Sequence, residues 1–312
     1  MASVPSIRNI SGSWLRKAGQ DTGCRCITWH CIIPGAVVPH LECINGNTGT
    51  LNSWCGENMG WLQSWQRKKL DRKPFPDDWR RILVSRVPSY RQLDSAKKEK
   101  LRQLVRYFLS EKSFEGCAGL ELTDDHLVVV AAMSCIPLLG GVSDLYPNLR
   151  AVLIYPGRYH AYYSESGVDG VVTEGVESRS GESWDQGVIV YSWDEILFDL
   201  RNPGDGSNIV YHECAHQLDY EWGATMEGFS WQKRNKDGKE SIGTVMKREY
   251  AAFLKQMDKG LPVHIDDYAA TNIHEFFAVL TETWFEKPGV VRTHYPAINS
   301  VFREFYNLDP GF

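Results

Sequence analysis

Residues 207–223 read SNIVYHECAHQLDYEWG, and inside them His212, Glu213 and His216 make an H-E-x-x-H pattern. On an α-helix, residues four apart lie one above the other, so both imidazoles can point at a single ion. Glu213 falls one position off that face, near enough to hold a water beside the ion without ligating it. The flanks favour a helix. Ser207 or Asn208 can cap it, Ile209, Cys214, Ala215 and Leu218 can supply an apolar side, and Gly223 is a natural stop. The rival reading is two ordinary histidines on the surface, or capped, on an amphipathic helix.

A catalytic zinc needs a third protein ligand and an open fourth position. An H-x-x-G-x-x-H continuation would put a histidine at 222, where the chain has Trp222, so the third ligand must come from elsewhere. Residues 272–286, NIHEFFAVLTETWFE, are the best source. Helical geometry brings Glu275, Glu282 and Glu286 within about 40° of one another. Phe276, Phe277, Val279 and Leu280 demand a core position for the same helix, where carboxylates are costly unless paired or coordinated. Glu282 and Glu286 read as a solvated acidic stripe; Glu275, followed at once by FFAVL, reads as a metal ligand. His274 points elsewhere and reads as a surface or capping residue. Asp219 competes for the third place. Lying about 60° around the helix from His216, it fits better as an acceptor that orients a ligand histidine or a neighbouring group. Tyr268 precedes the Glu275 helix and could donate to an oxyanion, although its residue context alone reads more simply as a half-buried aromatic.

The 312 residues are 43% hydrophobic with a net charge of −5, enough for one large domain or two small ones and no general case for nucleic-acid binding. The longest apolar run, Leu127–Leu139, holds Ser134 and Pro137 and is a buried helix at most. The first 20 residues contain Arg8, Arg16 and Lys17 without a continuous apolar core. A soluble cytoplasmic protein with no membrane partner is expected. Of eight cysteines, five (Cys24, Cys26, Cys31, Cys43, Cys55) fall before residue 60 and make no C-x-x-C pair. They read as free thiols more readily than as a structural zinc site or disulfides.

Residues 1–58 show no sustained period and are expected to be a disordered or non-native extension, with Met59 as an alternative start. (From there MGWLQS fits an N-myristoylation pattern, if the chain begins at Met59.) Residues 59–76 form a basic linker with Arg67, Lys68, Lys69, Arg72 and Lys73, closed by Pro74 and Pro76; residues 77–312 hold the folded domain. Residues 77–93 predict a short helix ending before Pro88; further helices are predicted over 94–112 with Leu101, Leu104, Val105 and Phe108 as its stripe, and over 124–138 behind Thr123, with His126 a first-turn surface residue. Strands are predicted at Leu149–Tyr155, Val171–Val176 and Gly187–Ser192, with a turn through Ser180-Gly181 and Ser183–Gln186. A short helix toward Leu200, a loop at 202–206, helices over 243–258 and 272–286 and one more in the tail complete the reading. A small mixed or antiparallel sheet packed on helices, leading into a metal-bearing helix, is an α+β architecture. Its sheet edge can hold an extended peptide.

HECAHQLD together with IDDYAATNIHEFFAVLTETWFEKP resembles the Mlc titration factor A (MtfA) family of zinc-dependent peptidases. RKPFPDDW, AVLIYPG and SGESWDQGVIVYSWDEI extend the resemblance over about residues 60–310. It implies a zincin-like domain, similar in its core to the anthrax lethal factor protease domain. It further implies one zinc per chain on His212, His216 and Glu275, Glu213 as general base and Tyr268 as catalytic hydrogen-bond donor. Thr173 departs from the pattern, because some members are expected to have a histidine there as an additional zinc contact. The implied activity is aminopeptidase-like cleavage of short peptides. The alternative is a regulator that binds and titrates a transcription repressor of the Mlc type, with peptidase activity secondary. An intact Glu213 argues against a purely structural zinc.

Overall fold

The computed structural model describes residues 63–158, 187–222 and 240–310 in full, and strands 17–18, 26–33, 36–43, 159–166, 172–179 and 181–184 by their backbone alone. The chain forms two compact units, Met1–Lys69 and Leu70–Phe312. In the first, β1 (Lys17–Ala18), β2 (Cys26–Ile33) and β3 (Ala36–Cys43) pair antiparallel in sequence order. The remainder of the segment expected as an extension, the side chains of its five cysteines, and Met59 lie outside the described residues.

The second unit opens with α1 (Asp77–Arg86) and α2 (Pro88–Gln92). Pro88 ends one helix and starts the next, because proline lacks an N–H yet suits a first helical position. In α3 (Ser95–Glu111) the Asp94 side chain accepts the Lys97 N–H at 2.8 Å, and Leu101, Val105 and Phe108 are buried. The short strand β4 (Ser113–Gly116) follows, too brief to give a pattern in the sequence. Helix α4 (Asp124–Cys135) carries a correction: His126 is part of the cap, its Nδ1 taking the Thr123 N–H at 3.0 Å. An imidazole here fills the place that Glu or Gln occupies in the usual capping box.

Next come β5 (Ala151–Tyr155), β6 (Tyr159–Ser166), β7 (Val172–Arg179), β8 (Gly181–Trp184) and β9 (Val188–Ser192). The main sheet has the order β4-β5-β9-β8, with the first three strands parallel and β8 antiparallel at the edge. It is a mixed sheet in an α+β fold. AVLIY in β5 and VIVYS in β9 are almost wholly buried, as expected for parallel strands covered on both faces. β6 and β7 form a separate antiparallel ribbon. The turn expected through 183–186 is instead partly strand β8. Such an edge strand is held by backbone hydrogen bonds to β9, so its polar sequence gave no signal.

The remaining elements are α5 (Trp193–Arg201), α6 (Ile209–Trp222), α7 (Ile242–Asp258), a 3-10 turn at Asp267–Ala270, α8 (Ile273–Glu286), α9 (Pro288–His294) and α10 (Pro296–Tyr306). The tail therefore makes two helices where one was expected, each with proline in its first turn. α6 packs against α8, and also against α4, β8 and β9. Its Val210, Tyr211, Cys214, Ala215 and Leu218 are buried, as are Phe276, Phe277, Leu280 and Trp284 of α8. Trp284 stacks on Tyr306 at 5.1 Å and donates from Nε1 to Asn299 Oδ1 at 3.1 Å. Among the described residues no helix is long and apolar enough to cross a membrane.

Candidate functional site

Both helices that carry the site are fastened at their first turns. In α6, Asn208 Oδ1 accepts the Tyr211 N–H at 3.1 Å. The amides that begin the helix are taken by carboxylates from two other elements: Asn208 N–H by Glu282 Oε2 at 2.6 Å, and Ile209 N–H by Asp199 Oδ2 at 2.8 Å. These groups have no partner within the helix, and negative charge is favoured at this end of the dipole. In α8, Asn272 Oδ1 accepts from the His274 and Glu275 N–H groups at 2.8 and 3.0 Å, which sets Glu275 in the first turn.

The two helices run antiparallel. His274 of α8 meets Asp219, Glu275 meets His216 and His212, and Glu286 meets Asn208. At the middle of this seam three atoms converge. His212 Nε2 lies 3.0 Å from Glu275 Oε2, His216 Nε2 lies 3.4 Å from the same oxygen, and the two nitrogens are 3.1 Å apart. Among the described residues this is the one cluster of three or more such side chains placed to hold a metal ion. Four ligands at about 2.0–2.1 Å around a tetrahedral zinc are separated by about 3.3 Å, so the triangle fits.

Lone pairs gathered this closely repel unless a cation lies among them. Protons on the imidazoles can meet this demand as a metal ion can. Burial alone would lower the His212 imidazole, yet its hydrogen bonds to Glu275 and Glu282 lift it well above the usual range. Burial likewise raises Glu275, but hydrogen bonds to His212 and His216 outweigh it and bring the carboxyl down to about 2. Glu213, 3% exposed, has one buried oxygen without a hydrogen-bond partner among the described residues. Burial pushes its carboxyl up to about 7, against the pull of the two imidazoles. A carboxylate poised near neutrality is suited to take and return a proton.

The Tyr268 ring lies 6.1 Å from the His212 ring, on the 3-10 turn, and is 53% exposed. Asp266 Oδ1 fixes that turn by accepting the Tyr268 N–H at 2.8 Å. Asp219 is buried, with Oδ2 2.6 Å from His274 Nδ1, so it engages the neighbouring group. His274 is consequently more than a surface or capping residue. The acidic stripe needs a larger correction. Glu282 is 6% exposed, with Oε1 2.6 Å from His212 Nδ1 and Oε2 accepting from the Ser207 hydroxyl at 3.2 Å. Glu286 accepts from Gly204 N–H and from Asn208 Nδ2 at 2.6 and 2.9 Å. The stripe was visible in sequence, but what it faces depends on the antiparallel docking of α8 on α6. The side chain of Thr173, on β7, and residues 223–239 lie outside the described residues.

The model of the family described as glucose-regulated metallo-peptidase M90 matches residues 62–307. The chain belongs to that family. An M90 metallopeptidase implies a metal, and among the described residues His212, His216 and Glu275 form a group that could hold one. Relatives extend the assignment. An uncharacterized protein of Synechocystis sp. is 39% identical over 251 residues, covering 80% of this chain and 90% of its own. Mlc titration factor A of Klebsiella pneumoniae is 30% identical over 247 residues, 74% of this chain and 86% of its own. The protein of that name from Serratia proteamaculans is 28% identical over 247 residues, again 74% of this chain and 87% of its own.

Proposed function

We propose that this M90 chain is a zinc-dependent peptidase acting on short peptides in an aminopeptidase-like manner, with a zincin-like catalytic domain over residues 77–312. The observation that supports it is the triangle of His212 Nε2, His216 Nε2 and Glu275 Oε2, with edges of 3.0–3.4 Å, beside a buried carboxylate. Those three residues would hold one zinc. When bound, zinc supplies Lewis acidity to the scissile carbonyl and to the attacking water. Glu213 accepts the proton of that water and delivers it to the leaving amine. Tyr268 donates a hydrogen bond to the oxygen that becomes negative as the carbonyl is attacked. Asp219 fixes the lower end of the seam through His274. β8 is one of the two edges of the main sheet and packs against α6, so an extended peptide added to that edge would run alongside the proposed ligand helix.

The test is hydrolysis of aminoacyl anilides by zinc-loaded protein, with Glu213→Gln alongside. Turnover should fall about 10²- to 10⁴-fold with zinc content unchanged; retained turnover sinks the role of Glu213. Because Glu213 must be charged to accept a proton, kcat/KM should fall as pH drops through the titration of its carboxyl, which burial raises and a neighbouring cation lowers. A second reading comes from the relatives named Mlc titration factor A: a regulator that captures a transcription repressor. Repressor capture that survives in Glu213→Gln would favour it; capture lost with turnover would favour catalysis.

A further inference from the structure

We infer that Glu282 is a positioning residue of the metal centre, setting which nitrogen of His212 is offered to the ion; this rests on the zinc reading above. Glu282 spans two parts of α6 at once. Its Oε2 takes the Asn208 N–H at 2.6 Å and the Ser207 hydroxyl at 3.2 Å, and its Oε1 lies 2.6 Å from His212 Nδ1. The amide on Oε2 can only donate. A carboxylate has only acceptors to give, so Oε1 calls for a proton on Nδ1. The neutral imidazole then carries its lone pair on Nε2, the atom that faces His216 Nε2 and Glu275 Oε2 at 3.1 and 3.0 Å. The grip on Asn208 holds the carboxylate still while it does this, because Glu282 is buried and bound on both oxygens.

Glutamine has the same shape but one acceptor and one donor. Its oxygen can meet the Asn208 N–H or the His212 Nδ1–H, not both. If its NH₂ faces the imidazole, the ring proton is driven to Nε2, where it competes with the metal. Glu286 provides an internal control. It fastens the same first turn, through Gly204 N–H and Asn208 Nδ2, so losing it disturbs the helix start without removing the carboxylate on His212.

The experiment is zinc affinity of the full chain by competition with a chromophoric chelator, together with the visible spectrum of the Co²⁺-substituted protein and the melting temperature of the metal-free forms. Glu282→Gln should weaken zinc binding about 10- to 100-fold and shift the Co²⁺ bands. Glu286→Gln should lower the melting temperature while leaving affinity and spectrum close to wild type. Equal losses of affinity in the two variants, or wild-type affinity in Glu282→Gln, would overturn the role. If Glu282→Gln does not fold, Glu282→Asp keeps the charge and both acceptors but withdraws them by one methylene. It should weaken zinc by a smaller factor, and unchanged affinity there overturns the role equally. A wild-type chain that takes up no zinc would instead sink the metal site itself, which separates the two failures.

Discussion

Glu282 is 6% exposed and held on both oxygens, whereas Tyr268, whose ring lies 6.1 Å from the ring of the same His212, is 53% exposed on a four-residue 3-10 turn. The α6–α8 seam and the Tyr268 turn contribute to one candidate site by opposite means. The seam is core. Its candidate ligands stand on two long helices whose first amides are capped, by carboxylates in α6 and by the Asn272 side-chain oxygen in α8, and whose backs are filled by Phe276, Phe277 and Trp284. The turn exposes Tyr268 and is fixed from below, by the Asp266 cap, by the Tyr250 hydroxyl donating to Ala270 O at 3.0 Å, by buried Ala269 and by its join to α8. Precision in holding an ion comes from rigid elements with satisfied polar groups. A group that meets the substrate can sit where solvent and substrate reach it.

This contrast can be broken most forcefully at the back of the seam. Trp284→Ala should cost about 3–5 kcal/mol of stability, read by urea unfolding, because a fully buried indole is removed from among Phe285, Phe302 and Tyr306. If the seam is held by its own polar clamps, the fraction that remains folded should bind zinc nearly as wild type does. Loss of affinity without loss of stability would show that the core and the ligand geometry are not separable in this way.

A smaller effect is expected from the turn. Tyr268→Phe should lower kcat about ten- to hundredfold, below the usual cost of an oxyanion donor because the residue is half exposed. Zinc content and melting temperature should not move. A drop in melting temperature comparable to a core substitution would mean that the turn is structural after all.

A third effect, spread along the pH scale, tests the helix start. Burial raises the Asp199 carboxyl to about 8, although the Ile209 N–H pulls the other way. The folded chain therefore binds this proton more tightly than the unfolded chain, whose carboxyl titrates near 4. The resulting stability is fully present below about pH 4 and is lost as pH rises through 8. Asp199→Asn removes this titration while keeping an acceptor for Ile209 N–H. In the metal-free protein it should flatten the decline in stability between pH 5 and 8 by about 1.4 kcal/mol per pH unit. An unchanged slope would assign the pH dependence to other groups.

Much of the site was legible because periodic geometry converts directly into spacing. His212 and His216 at i and i+4 on a capped helix required no knowledge of the fold, and Glu275 stood out as a carboxylate ahead of FFAVL. In the second unit the strands that were missed are β4, β6 and β8, none of which is a continuous apolar run. β8 gave no sign because an edge strand is secured through its backbone. His126 was read from its position in the first turn, while its role depended on which way the imidazole turned toward Thr123.

The sequence by itself determined which residues could carry the proposed chemistry: two imidazoles, a neighbouring carboxylate and a distant one, each placed by the 3.6-residue repeat of its own helix. The tertiary structure decided what those residues face. Only the antiparallel docking of α8 on α6 brings Glu275 Oε2 to 3.0 Å from His212 Nε2 and turns Glu282 from a stripe on a helix into the partner of His212 Nδ1. Local periodicity fixes the direction of a side chain from its own axis, but the distance between two axes is set by packing side chains that lie far apart in the chain.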